Sequence, residues 1–180
     1  MTRIVFIFGL IASVILSIFM FSTFPLLKSG VISYENGALV GYTGMIIAMV
    51  TIFFGIKSYR DNHLNGTISF GKAAGVGLLI ALIAAVGYAI SWEFYFNLLA
   101  PDFMEKYSAM YLEKAKSSGV TEAELIKVIA DTDQMKEIYK IPIARFGVTM
   151  MEPLPVGILI TLVSAALLKK KQFLPAAPTA

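Results

Sequence analysis

The chain contains no cysteine and has few charged residues. Only 15% of its 180 residues are Asp, Glu, Lys or Arg, whereas a soluble domain has about 25%. The lack of cysteine excludes disulfides, thiolate metal sites and cysteine nucleophiles. The net charge of +3 is too small and too scattered to indicate nucleic-acid binding. So few charges would cover a water-facing surface poorly, and the composition therefore favours lipid as the solvent.

Hydrophobic residues make up 57% of the chain and are concentrated in four long runs. A helix needs about 20 apolar residues to cross a bilayer core, and in lipid a helix satisfies its own backbone polar groups. The runs do not alternate as barrel strands would. The sequence therefore predicts an all-α integral membrane four-helix bundle in one domain over residues 1–171, with a disordered Pro- and Ala-rich tail over 172–180. The predicted spans are 4–27, 38–56, 73–100 and 141–168.

The first run is interpreted as an uncleaved span. Its apolar stretch is longer than the core of a signal peptide, and no A-x-A-like cleavage site follows it. A cleaved signal peptide is the alternative.

Residues 101–140, between the third and fourth runs, have the pattern of a helical hairpin. Asp102 is positioned to cap a first helix, and the Ser-Ser-Gly sequence at 117–119 breaks the helical periodicity. Thr121 and Glu124 have the spacing of a capping box at the start of a second helix. We expect a structured cap that lies on the bundle or on the headgroups. A docking surface, or a lid over a cavity, is the alternative.

Basic residues near the ends of spans indicate orientation. Seven of them fall in short segments on one side of the predicted bundle, whereas the hairpin on the other side has six lysines against eight acids. This distribution predicts that both termini are cytoplasmic. The seven are Arg3, Lys57, Arg60, Lys72, Lys169, Lys170 and Lys171.

Small residues recur four apart in the second and third runs. Gly44 and Ala48 form one such row, and Gly77, Ala81 and Ala85 form another. Helices in lipid associate through close packing at small residues. We expect these rows to pack the second and third spans against each other, with a homodimer seam as the alternative.

Three ionisable residues interrupt or border the apolar runs and form a candidate intramembrane polar site. At 1.5 Å per residue, Glu93 lies about 30 Å along the third run, and Arg145 lies about 6 Å into the fourth from the same side. Because charges in lipid tend to pair, we predict an ion pair between Glu93 and Arg145. Glu152 lies deeper, and Pro153 and Pro155 after it predict a kink that frees carbonyls of the preceding turn.

Three interpretations of Glu152 remain open. The kink and the ion pair can serve only to orient the helices. A carboxylate beside freed carbonyls can also bind a proton or a cation. Binding of a substrate or a lipid headgroup is the third possibility.

Several stretches resemble a family of bacterial membrane proteins classified as domain of unknown function 4199. The resemblance covers nearly the whole chain and implies a four-span inner-membrane protein. It supplies no activity. The stretches that carry it are Gly41–Ile47, Phe53–Asp61, Ile68–Ala73, Pro101–Phe103 and Glu152–Gly157.

The sequence contains no nucleophile–base set and no metal-ligand cluster, so we expect no catalytic residue, no metal and no cofactor. The expected function is that of a non-enzymatic structural or interaction subunit of a bacterial inner membrane. The expected partners are membrane lipids and either a second copy or another membrane protein, and nucleic acid is not expected. The alternative is a small ion- or proton-coupled transporter or channel that uses Glu152 and Arg145.

Overall fold

The computed structural model describes residues 1–32, 34–170 and 173–175, apart from the side chains of Lys28, Tyr34, Glu35 and Ala38. In this part of the chain all regular structure is helical, which confirms the predicted all-α class. The helices are α1 (Thr2–Lys28), α2 (Tyr34–His63), α3 (Phe70–Leu98), α4 (Phe103–Ser117), α5 (Glu122–Lys140), α6 (Pro142–Met151) and α7 (Pro153–Leu168).

Four helical segments are long and apolar enough to cross a membrane, as the four predicted spans require. The fourth consists of α6 and α7 together. The chain therefore has the structure of a multi-pass membrane protein. The segments are Thr2–Leu27, Leu39–His63, Phe70–Leu98 and Pro142–Leu168.

Helix α2 runs beyond the predicted end of the second span at residue 56. It continues to His63 because the polar residues that follow the apolar run still form helix. Lys57 and Asp61 lie one turn apart, and their Nζ–Oδ2 distance is 2.6 Å. Hydropathy shows where the apolar part of α2 ends, at residue 56. It does not show where the helix ends, because the helical backbone hydrogen bonds continue to His63. Helix α3 in turn ends at Leu98, before the predicted boundary at residue 100.

The spans pack closely in the first of two compact units, which comprises the described parts of Met1–Ala89 and Thr149–Ala180. A Cβ built on Gly77 would lie 2.6 Å from Cγ2 of Thr161 in α7, and one on Gly157 would lie 2.8 Å from Cβ of Ala81. Glycine at these positions lets the α3 and α7 backbones approach each other.

The predicted packing rows are buried, but they do not simply join the second and third spans. Ala48, Ala81 and Ala85 are completely buried. Gly44, however, lies against Phe19 of α1, where a Cβ would come within 2.6 Å of Cγ. Helix α1 also packs against α2, so a small residue on α2 can contact either of two neighbouring helices. The periodicity of the sequence does not show which of the two it contacts.

The second compact unit, Ile90–Val148, contains the predicted helical hairpin as α4 and α5. The capping box of α5 is present: the Thr121 hydroxyl accepts from the Glu124 N–H, and the Glu124 carboxylate accepts from the Thr121 N–H at 2.9 Å. Asp102 stands at the start of α4 but makes no side-chain cap. Its carboxylate instead pairs with Lys106, with Nζ–Oδ2 at 2.5 Å, and the capping prediction for it is wrong.

Candidate functional site

Glu93 and Arg145 form the ion pair that their sequence depths predict. Two parallel hydrogen bonds join them, from Arg145 Nε to Glu93 Oε1 at 2.8 Å and from Nη2 to Oε2 at 2.5 Å. Arg145 is 4% exposed. Its Nη1 also donates to the carbonyl of Tyr139, at the C-terminal end of α5, at 2.8 Å. All three nitrogens of the guanidinium group are therefore engaged, and the two-bond geometry fixes its orientation.

Aromatic side chains enclose this pair within the second unit. The guanidinium carbon of Arg145 lies 4.1 Å from the ring centre of Phe96, which is a cation–π contact. Trp92 meets Phe103 edge to face, with ring centres 4.8 Å apart. Phe96 also packs against Tyr139, at 5.8 Å. The aromatic enclosure and the Tyr139 carbonyl were not predicted. Trp92 and Phe96 are one turn apart on α3 and therefore lie on one face of the helix. This spacing is the feature of the sequence that could have predicted the aromatic enclosure.

Glu152 marks a break in the fourth span. Helix α6 ends at Met151 and α7 begins at Pro153, as the proline positions predict. Pro153 has no N–H for the carbonyl of Thr149, and that carbonyl accepts instead from the N–H of Glu152 at 3.3 Å. Pro155 lies in the first turn of α7, where a missing N–H costs little.

The carboxylate of Glu152 accepts a hydrogen bond from the hydroxyl of Tyr88, with Oη–Oε2 at 3.0 Å. Tyr88 is buried on α3, whereas Glu152 is exposed at the surface of the chain. Within the described residues this is its one side-chain partner. The sequence did not predict Tyr88, because a tyrosine among apolar residues has no distinguishing pattern. The site therefore presents a carboxylate and a phenol at the side of a membrane span.

Arg60 is a further buried site, for which the sequence indicates only a role in orientation. It is completely buried near the end of α2, and its Nε donates to Asp61 Oδ1 at 2.6 Å. Nη1 donates to the carbonyls of Phe173 at 2.9 Å and Leu168 at 3.4 Å, and Nη2 donates to that of Leu174 at 2.5 Å. We call this arrangement the Arg60 clamp. Most of its acceptors are backbone carbonyls, and because every residue has one, the sequence does not predict which of them Arg60 binds.

The clamp bears on the predicted tail disorder over 172–180. Residues 172 and 176–180 lie outside the described part of the chain. Phe173 and Leu174 are held by Arg60, and the Phe173 ring meets that of Phe53 edge to face at 6.4 Å between ring centres. These two residues have hydrogen-bond partners because a buried guanidinium group needs acceptors and the backbone after α7 supplies them. The disorder of the tail stays a prediction.

These features define a multi-pass α-helical membrane protein whose buried arginines are paired within the chain. The family model "Protein of unknown function (DUF4199)" matches residues 7–170, and the chain belongs to this family. The match confirms the family named from the sequence. No curated protein and no solved structure matches the chain.

Proposed function

We propose that the protein is a non-enzymatic subunit of a bacterial inner membrane that acts by binding another membrane protein. The main support for this proposal is that the buried arginines have all their guanidinium nitrogens hydrogen-bonded within the chain. Arg145 and Arg60 each donate from all three guanidinium nitrogens to partners in their own compact unit. Breaking such pairs is costly, so these residues stabilise one arrangement of helices. A scaffold of this kind suits a stable contact surface.

The surface best suited to a protein partner lies on α5. Ile126 is 61% exposed and Ile129 is 40% exposed, one turn apart, and Tyr111 on α4 is 44% exposed. The packed face of α5 consists of Leu125, Val128, Thr132, Met135 and Tyr139 and leaves Ile129 outside it. The hairpin has six lysines against eight acids, whereas helices that bind anionic bilayers are rich in lysine and arginine. Its composition therefore favours a protein partner over the lipid surface.

Site-specific photo-crosslinking in native membranes tests this proposal. A benzophenone side chain at Ile126 is expected to give one protein adduct of constant mass across preparations. The same group at Lys127, an exposed neighbour on α5, is the matched control and should give much less of it. A purified chain that runs as a monomer, with no protein adduct at Ile126, would contradict the proposal.

A second candidate function is transport of a proton or cation, and the position of Glu152 favours it. An exposed carboxylate inside a span is costly in lipid and is commonly functional. Among the described side chains only Tyr88 forms a hydrogen bond with it. A transport role requires Glu152 to bind and release the transported ion, whereas a structural role requires only its hydrogen bond to Tyr88.

Two measurements separate the candidates. A lipid-soluble carbodiimide should modify Glu152 in reconstituted vesicles if this carboxyl group carries a proton, and E152Q should abolish the labelling. Proton or cation flux that is present in the wild type and absent in E152Q would establish transport. No flux above empty vesicles, with E152Q folded and forming the same adduct from Ile126, would support the interaction subunit.

A further inference from the structure

A cavity of about 420 Å³ that is widely open to the surface lies where α2 connects to α3. It combines apolar side chains with two hydroxyl groups and one ammonium group. The second span ends here at His63, and the third span begins at Phe70. The cavity is therefore at the depth of the lipid headgroups. Its lining residues are Leu64, Thr67, Ile68, Ser69 and Lys72.

The charge at this end of the first unit is strongly positive. Asp61 is the single acid in the sequence between residues 36 and 92, and it is neutralised by Lys57 and Arg60, each with a nitrogen 2.6 Å from a carboxylate oxygen. Lys72, Lys169 and Lys170 are exposed. In the described part of the chain, none of the recorded ion pairs involves these three lysines. Their charge is available to an anion from outside the chain.

The lysine that follows α7 lies beside Phe70, which is next in sequence to a lining residue of the cavity. Lys169 Nζ lies 5.8 Å from the ring centre of Phe70, the residue after Ser69 in the cavity wall. The Arg60 clamp holds the chain on both sides of Lys169, through the carbonyls of Leu168 and Phe173. Lys72 lines the cavity, and Lys169, from a distant part of the sequence, lies against the residue that follows its wall.

We propose that this cavity binds the phosphate of an anionic phospholipid. Lys72 and the nearby Lys169 would supply the charge, the hydroxyl of Ser69 lies in the wall, and Leu64 and Ile68 provide apolar lining. Lysines beside a membrane attract anionic lipid by about 1 kcal/mol each, which corresponds to about a fivefold change in affinity. The inference is independent of the proposed partner on α5 and of the orientation of the chain.

The test measures lipid binding by purified full-length protein in an uncharged detergent. Titration with phosphatidylglycerol is expected to show tighter binding than with phosphatidylcholine. K72Q and K169Q should each weaken phosphatidylglycerol binding about fivefold, and the double variant about 25-fold if the two effects add. K72R and K169R keep the charge and should bind nearly as the wild type does.

The matched control is K127Q, which removes an exposed lysine from α5 and should leave the affinity unchanged. Equal weakening by K127Q, or equal binding of the two lipids, would overturn the site. Unchanged binding in folded K72Q/K169Q would overturn it as well. Displacement of the lipid by millimolar inorganic phosphate would assign the cavity to a soluble phosphate and overturn the lipid proposal.

Discussion

Arg145 illustrates how one side chain can connect several elements. Its guanidinium group joins α3 through Glu93 and the end of α5 through the Tyr139 carbonyl. The pair was predictable because two charges at similar depth in neighbouring spans have few other partners. The Tyr139 carbonyl was not, since any backbone carbonyl at a helix end is an acceptor and sequence does not distinguish among them.

Replacing Arg145 with Gln should destabilise the protein by about 3 kcal/mol, because it leaves the Glu93 carboxylate without its cation. Thermal unfolding in detergent measures this as a lower Tm. E93Q/R145Q should recover part of the loss, since neither charge then remains. The matched control K140Q removes the exposed pair with Glu137 and should change Tm little. A Tm for R145Q equal to that of K140Q would contradict the structural role of the pair.

Glu124 is a second residue whose environment sets a measurable property. The N–H of Thr121 donates to its carboxylate, and so does the Thr121 hydroxyl. These bonds hold the pKa of Glu124 below its ordinary value, with the backbone bond as the larger cause. The carboxylate therefore stabilises the start of α5 above the unfolded-state pKa, and this stabilisation is lost as the pH falls through the folded-state pKa.

An NMR titration of the Glu124 carboxyl carbon is expected to show the lowered pKa. T121A should return it towards the ordinary range, because the hydroxyl is lost and the cap frays. T121S keeps the hydroxyl and is the matched control. A pKa that is the same in the wild type and in T121A would show that the capping box is not formed in solution.

At the scale of the helices, the structure shows what hydrophobic periodicity determines and what it leaves open. The hairpin helices and the break at Glu152 follow from local rules: the capping box at Thr121 and the missing N–H of Pro153. The neighbour of Gly44 does not, because it depends on a contact between segments that lie apart in sequence. The Tyr88–Glu152 bond, across 64 residues, belongs to the same class.

The Arg60 clamp makes a prediction about the segment after α7. R60K keeps the charge but loses the planar fork that reaches three carbonyls. Trypsin should therefore cleave after Lys169 and Lys170 faster in R60K than in the wild type. K57Q removes the neighbouring pair with Asp61 and leaves Arg60 in place, so its cleavage rate should match the wild type. Equal rates in all three proteins would contradict the clamp.

At the scale of the whole molecule, the orientation proposed from the basic residues can be tested directly. Because the chain has no cysteine, a single introduced cysteine is a unique label. S118C, in the hairpin, should react with an impermeant maleimide in intact cells, whereas H63C, at the end of α2, should react only after the cells are opened. Both positions are exposed. The opposite pattern would reverse the proposed orientation.

The Arg60 clamp also has a consequence for the order of events during synthesis. The Leu168 carbonyl follows Arg60 by 108 residues. At about 5–20 residues per second, a ribosome takes about 5–20 s to supply that carbonyl. Throughout this interval Asp61, the next residue made, is the partner that the guanidinium group already has. A chain that stops before α7 is complete leaves the two terminal nitrogens of Arg60 without the carbonyls that they bind in the finished protein, and this would distinguish an unfinished protein from a finished one.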